Sequence, residues 1–315
     1  MNYWRKIISL ILLATVSTLA IGCTTERPLA HLHSEGEAGY IPCAVQMPEL
    51  TLRSSQAFIY DVEKGEFIYR IGEDKIIYPA STTKLLTILY ALEWLSPDEI
   101  ITPGNELTLV PPDSSIAYIK EYHSLTVEML IQGMLMPSGN DAAYVLAAAA
   151  GQKIDTTQEM DGITAVGVFM EGMNAYAKQI GMCGSNFATP DGYYSSNTYT
   201  TIEDIAIASL QASQNSIISK YSSAYIANVM YASGHTNTWT NTNLLLDPNG
   251  KYYSPCVTGL KTGSAGTGNY SLITTANINE KQYIIGVFSS QNKNDRYKDT
   301  LVIIDYLKND LTIYE

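Results

Sequence analysis

Three short runs hold residues able to do covalent chemistry together. Pro79-Ala80-Ser81-Thr82-Thr83-Lys84 sets a hydroxyl and an amine three positions apart where an apolar run begins. Leu85 to Leu95 is apolar on nearly every face, which predicts a helix buried in a core, with Pro79 unable to extend it backwards and Ser96-Pro97 closing it. Residues i and i+3 share a helix face with Cβ atoms roughly 5–6 Å apart, so Ser81 and Lys84 stand as a nucleophile beside a base. Taken alone, the run is as readily an N-cap serine with a snorkelling lysine. Ser290-Gln291-Asn292-Lys293 has the same spacing in a polar stretch that reads as loop, so context must separate the two.

The second run, Ser138-Gly139-Asn140, follows Pro137 and fits a rigid loop between two buried helices, where side chains project into a cleft. By itself it is a turn, and Ser195-Ser196-Asn197 and Ser213-Gln214-Asn215 match its spacing too. The third, Lys261-Thr262-Gly263, occurs once, on a strand-like segment, where a lone lysine would be edge solvation. The order Ser-x-x-Lys, Ser-x-Asn, Lys-Thr-Gly, each on its own type of element, is the active-site set of penicillin-recognising serine enzymes.

The elements that must hold these runs follow from pattern. Gln56–Asp61 and Glu66–Arg70 read as strands joined by a turn at Glu63-Lys64-Gly65. Residues 101–122 are broken by Pro103-Gly104 and Pro111-Pro112 and give no clear order. Thr126 is placed to cap a helix from Val127 to Met136, and a second helix runs from Asp141 to Ala150 with Gly151 as its stop. Val166–Ile180 and Thr201–Ala212 have helical period, with a loop at Thr189-Pro190-Asp191-Gly192 between them. Val257–Gly263, Tyr270–Ala276 and Gln282–Phe288 form a strand meander, followed by an amphipathic helix from about Arg296 to Leu311. Strands at both ends and helices between predict an α+β fold: a five-stranded antiparallel sheet built from both termini and flanked by helices, with an inserted helical subdomain at about 100–220. The seam between them is the natural cleft.

Composition excludes some partners. The chain of 315 residues carries 31 acidic against 19 basic residues, net −12, which repels nucleic acid and anionic lipid headgroups. A substrate with a carboxylate therefore needs a locally positive site. Arg5-Lys6 and the apolar run Ile7–Ile21 form a secretory signal over residues 1–22, shorter than the about 20 residues a membrane span needs. Residues 23–50 read as a tether and 51–315 as the catalytic domain. Ala20-Ile21-Gly22-Cys23 resembles a bacterial lipobox, with Leu19 one place further back than usual; it predicts a lipid on Cys23 and attachment to the outer face of the cytoplasmic membrane. Ordinary signal-peptide cleavage would give a secreted product instead. Cys43, Cys183 and Cys256 then allow at most one disulfide, and neither they nor His31-x-His33 have metal-site spacing, so no metal or other cofactor is inferred.

The three motifs identify the chain as similar to the D-alanyl-D-alanine carboxypeptidases, low-molecular-mass penicillin-binding proteins with a β-lactamase/DD-peptidase-like fold. The resemblance continues through Phe169-x-x-x-Met173-Asn174, Gly181-Met182, Phe187-x-Thr189-Pro190-x-Gly192 and Thr201-x-x-Asp204-x-Ala206, covering about Ser55 to Leu307. Many relatives carry a further C-terminal β-rich domain and an anchor helix, for which this chain ends early. The resemblance implies that Ser81 attacks the bond between two D-alanines of a peptidoglycan stem peptide, forming an acyl-enzyme that β-lactams would mimic as inhibitors. It implies Lys84 as proton acceptor; making that amine neutral takes about three pKa units from ~10.4, or about 4 kcal/mol, supplied by burial and by Lys261 as a second cation. Ser138 would relay the proton to the leaving amine, Asn140 would bond the substrate amide, and Lys261 and Thr262 would hold the terminal carboxylate. The N–H groups of Ser81 and Ser264 would hold the oxyanion, and Gly263 would let substrate lie against the strand. Arg296 is a lesser candidate for the carboxylate, reading first as a solvated residue at a helix start. Whether water or an amine takes the acyl group stays open.

Two rivals stand beside this reading. A class A β-lactamase shares the geometry but needs a Glu-x-x-Leu-Asn stretch, and the chain has none; Gly139 also replaces the aspartate usual in its loop. A non-catalytic lipoprotein that binds wall peptides would not need all three motifs intact. A Ser-His-Asp hydrolase lacks its G-x-S-x-G run.

Overall fold

β1 (Gln56–Asp61) is buried along its whole length. Period-two alternation turns Phe58 and Tyr60 into one core and Ala57 and Ile59 into another, so the strand needs cover on both sides. The structure, a computed structural model, describes residues 49–309 apart from Gln158 and Thr267. The expected signal peptide, Cys23, Cys43, the tether up to Pro48 and the helix end at Leu311 lie outside the described residues.

In chain order β2 (Glu66–Ile71) follows β1, then a 3-10 turn (Ala80–Thr83) leads directly into α1 (Lys84–Ala91). After β3 (Ile100–Ile101) and β4 (Leu125–Thr126) come α2 (Val127–Leu135), α3 (Asn140–Ile154), α4 (Gly162–Gln179), α5 (Ile202–Gln214) and α6 (Ser216–Ser222). A hairpin of β5 (Ile226–Met230) and β6 (Thr236–Thr240) precedes β7 (Lys261–Ser264), β8 (Tyr270–Ile278), β9 (Lys281–Ser290) and α7 (Asp295–Asn309).

The main sheet has five strands in the order β2-β1-β9-β8-β7, antiparallel throughout. The two ends of the chain meet at its centre, with Ala57 opposite Val287 and Ile273 opposite Gly286. The α+β architecture expected from sequence is therefore the one observed. α7 covers one face through Tyr297, Ile303, Ile304 and Leu307; the helices between β2 and β7 cover the other. β7 is an edge strand, and its free side faces the turn that carries Ser81.

Thr126 does cap α2, accepting the Met129 N–H at 3.2 Å. Gly151 does not stop α3, which runs on to Ile154. A Cβ at Gly151 would overlap the Ala165 backbone, so this glycine lets α4 pack close against α3. The hairpin at 226–240 and the short strands β3 and β4 carried no clear pattern in sequence. Cys256 is a free thiol, whereas Cys183 is disulfide-bonded.

Candidate active site

Ser81 sits in the 3-10 turn and makes no capping bond with its side chain, so the N-cap reading of this serine fails. The turn is held in an uncommon shape. Ala80 has φ +50°, and Gly192, itself at φ +74°, closes against its carbonyl where a Cβ would overlap. One turn on, Lys84 is 0% exposed. Its Nζ donates to Ser81 Oγ at 2.9 Å, to Asn140 Oδ1 at 2.8 Å and to the Asp191 carbonyl at 2.9 Å. Burial pushes this amine down to about 8, against the opposing pull of the Asp191 and Asp141 carboxylates.

Protonated, the amine donates to all three partners; neutral, it serves two of them. An NH₂ group has two N–H donors and one lone pair. Asn140 Oδ1 and the Asp191 carbonyl can only accept, so they take the donors, and the lone pair is left facing the Ser81 hydroxyl. The arrangement can withdraw a proton from that hydroxyl.

Ser138 lies in the loop between α2 and α3 with φ +64°. The loop is tied down by Gly139 N–H to the Gly133 carbonyl at 2.9 Å and Asn140 N–H to the Ser115 carbonyl at 2.8 Å. Buried Asp141 accepts from the N–H groups of Ala117, Ile119 and Ala142, bracing the neighbouring segment. Lys261, on the edge strand, crosses the cleft to donate to Ser138 Oγ at 2.8 Å and also donates to the Thr262 carbonyl at 3.0 Å. The motifs 1, 2 and 3 thus meet in one place.

One electrostatic expectation is corrected. Burial leads the Lys84 shift, as expected, but the charge of Lys261 is not among its causes. Burial also pushes the Lys261 amine well down, with the charges of Lys84 and Arg296 adding to it. Arg296 is the permanent positive charge there, because guanidinium keeps its proton. It is not a solvated residue at a helix start: it is 2% exposed. Its Nη1 donates to the Gly263 carbonyl at 2.8 Å, the Ser271 carbonyl at 3.2 Å and Ser264 Oγ at 3.3 Å, and its Nη2 donates to Tyr297 Oη at 3.0 Å.

The remaining strand residues line the same cleft. Thr262 Oγ1 lies 2.6 Å from Thr242 Oγ1. The Ala265 N–H pairs with the Asn269 carbonyl, so strand alternation turns the Ser264 N–H outward, toward Ser81. Gly263 also has a reason within the fold: a Cβ there would meet the Pro79 carbonyl at 2.8 Å, so the glycine admits the Ser81 turn.

Two connected arms open from Ser81. The inner, about 230 Å³, is lined by Ser138, Thr242, Thr262, Lys293 and Arg296. The outer, about 520 Å³, shares Ser81, Ser115 and Ser264 with it and continues past Asn140 and Gly192. Sequence reasoning missed Ser115, Thr242, Asp191 and Lys293. Asp191 was reachable, since it is the middle of the Thr189-Pro190-Asp191-Gly192 turn. Lys293 belongs to the second Ser-x-x-Lys run, whose Ser290 is buried against Ser54 instead. Asn174 and Asp204, part of the wider pattern, are structural: Asn174 bonds the Phe187 N–H and carbonyl, and Asp204 accepts from Gly184 and Ser185.

Comparison with known proteins fits this geometry. A family model described as D-alanyl-D-alanine carboxypeptidase matches residues 42–292. The D-alanyl-D-alanine carboxypeptidase DacF of Bacillus subtilis is 26% identical over 297 residues, covering 92% of this chain and 70% of its own. The D-alanyl-D-alanine carboxypeptidase of Streptomyces sp. (strain K15) is 27% identical, with 87% of this chain and 94% of that protein covered. The crystal structure of the Streptomyces K15 DD-transpeptidase aligns with a TM-score of 0.74 at 26% identity, over 82% of this chain and 98% of the other. Penicillin-binding protein D2 of Listeria monocytogenes, in its ampicillin-bound form, aligns with a TM-score of 0.66 at 27% identity, over 83% and 99%.

Proposed function

The chain belongs to the D-alanyl-D-alanine carboxypeptidase family of serine peptidases, and we propose that it removes the terminal D-alanine of peptidoglycan stem peptides through an acyl-enzyme on Ser81. The observation that carries this is the environment of Lys84 Nζ, whose lone pair faces Ser81 Oγ when its two N–H groups serve Asn140 and Asp191. Ser81 Oγ attacks the carbonyl carbon between the two D-alanines while its proton passes to Lys84. The N–H groups of Ser81 and Ser264 hold the oxyanion. Collapse breaks the C–N bond, and the proton reaches the leaving amine through Ser138 Oγ, which Lys261 orients. D-Alanine leaves; water then attacks the acyl carbonyl with the same base, and the Ser81 ester breaks to free the shortened peptide.

The terminal carboxylate belongs in the inner arm, beside Thr262, Lys261 and Arg296. An anion there favours the protonated form of Lys261, opposing the burial that disfavours it. β-Lactams present the same carboxylate and carbonyl and acylate the same serine. Incubating the chain with a fluorescent penicillin and mapping the labelled peptide by mass spectrometry tests the assignment. The label is expected on Ser81 and absent from Ser81→Ala, which also loses D-alanine release by at least about 10³-fold. A label elsewhere, or full activity in Ser81→Ala, overturns it.

We assign attachment at the outer face of the cytoplasmic membrane to a lipid on Cys23, from the Ala20-Ile21-Gly22-Cys23 run. Cys23→Ser should move the penicillin-labelled protein from the membrane fraction to the soluble one; equal distribution of the two proteins points to a secreted product.

A further inference from the structure

Thr262 does not stand alone in the inner arm. Its Oγ1 lies 2.6 Å from Thr242 Oγ1, and both residues line that arm. Among the described residues neither hydroxyl has another hydrogen-bond partner. Each hydroxyl carries one hydrogen, so the contact uses one and leaves one for the arm. If Thr262 donates, its own hydrogen is spent and a lone pair is turned toward the ligand. If Thr242 donates, the Thr262 hydrogen is free to face that ligand.

Thr242 is held where the contact needs it. It follows β6, and its N–H donates at 3.0 Å to the carbonyl of Met136, two positions before Ser138. Its own carbonyl accepts from Tyr297 Oη at 2.8 Å, and that oxygen accepts from Arg296 Nη2 at 3.0 Å. On either side, Asn241 Nδ2 donates to the Ala224 carbonyl at 3.0 Å and Asn243 Nδ2 to the Gly259 carbonyl at 3.3 Å. The backbone is thus tied both to the Ser138 loop and, through Tyr297, to Arg296.

We propose that Thr242 is a positioning residue for carboxylate recognition: it gives its hydroxyl hydrogen to Thr262 Oγ1 and so turns the Thr262 O–H onto the terminal carboxylate of the substrate. The inference rests on that carboxylate occupying the inner arm. Thr262 and Ser264 point to one side of β7, and Arg296 Nη1 reaches Ser264 Oγ at 3.3 Å, so an anion on this row has the guanidinium beside it. A carboxylate only accepts hydrogen bonds, which selects the direction in which Thr242 is the donor. Accepting that bond polarises the Thr262 hydroxyl and strengthens the bond it gives in turn. Thr242 acts through Thr262 and leaves the reacting atoms to Ser81, Lys84 and Ser138.

The test compares two acyl-D-alanyl thioesters that differ only in the leaving group, thioglycolate with its free carboxylate and the methyl ester of the same group. The ratio of their kcat/KM values within one chain reads carboxylate recognition and is independent of how much protein is folded. The parent chain should favour the carboxylate. That preference is expected to fall about fivefold in Thr242→Val, chiefly through KM, as for one ordinary hydrogen bond, and to return in Thr242→Ser. Thr262→Val should lower it about tenfold or more, and adding Thr242→Val to that variant should change it no further, because the two hydroxyls act as one unit. An unchanged ratio in Thr242→Val overturns the inference, as do losses that add in the double variant or a parent chain that uses both thioesters alike. Each of these results leaves the Ser81 assignment standing, provided penicillin still labels Ser81. Absence of that label in the parent chain brings down both.

Discussion

Lys261 Nζ donates to Ser138 Oγ at 2.8 Å, joining residues 123 positions apart across the cleft. Both are nearly fully buried, so the bond acts in low dielectric and fixes the hydroxyl in the cavity that Ser81 also lines. Ser138→Ala removes that hydroxyl while leaving the loop's backbone bonds to Gly133 and Ser115 in place. Acylation by penicillin is expected to slow by about 10²-fold or more, and stability to fall by about 1–3 kcal/mol as buried Lys261 Nζ loses a partner. Stopped-flow labelling measures the first and calorimetry the second; an unaffected rate removes Ser138 from the proton path.

Acylation should rise with pH through a midpoint near 8, because only the neutral Lys84 amine can accept the Ser81 proton. The same shift bears on stability. The folded value, about 8, lies below the unfolded value of ~10.4, so between them the unfolded chain binds more protons and stability increases with pH. In Lys84→Met the slope over that window should flatten by up to about 1.4 kcal/mol per pH unit, the contribution of one proton. Urea unfolding at several pH values gives the slopes, and parallel curves for the two proteins would count against a buried, shifted Lys84.

Arg296→Ala takes donors from the carbonyls of Gly263 and Ser271 and from Tyr297 Oη, all at buried positions. A loss of about 3 kcal/mol is expected by urea unfolding, since buried acceptors are left unpaired. Arg296→Lys keeps the charge without the planar fork and should fall between. Peptide KM should rise in the alanine variant more than in the lysine variant if the charge also serves the carboxylate; equal KM values would restrict Arg296 to a structural role.

Gly139 has no room for a side chain. An added Cβ would stand 2.7 Å from both Ala117 Cβ and Asp141 Oδ1. Gly139→Asp should therefore displace the Ser138 loop, cost about 1–3 kcal/mol and slow penicillin labelling without creating β-lactam turnover. Rapid nitrocefin hydrolysis by this variant would mean that the loop residue alone sets the fate of the acyl-enzyme.

The chemistry was more legible than its surroundings. Ser81 and Lys84 are one helical turn apart, so their meeting follows from spacing alone. The strands at both ends carried period and β-branched content, and the turn that joins β8 to β9 falls between them at Asn279-Glu280, with φ +50° and +63°. Arg296 was misread because a charged residue opening a helix looks solvated until β7 is laid across it. Gly151 was misread because a glycine that admits a neighbouring helix has the same letter as one that ends its own. The hairpin at 226–240 matters for a reason no local pattern holds: Tyr231, Asn237 and Trp239 all donate to the Ala117 carbonyl, bracing the segment beside Gly139.

By itself, the amino-acid order determined the reactive groups, the elements they ride on and the α+β class, since each depends on contacts within a few residues. Only the tertiary structure decided that Asn140 and Asp191 accept from Lys84, that burial shifts its proton affinity, and that Arg296 lies buried against β7. Desolvation and hydrogen-bond direction are properties of groups brought together by long-range chain closure, and spacing along the chain does not encode them.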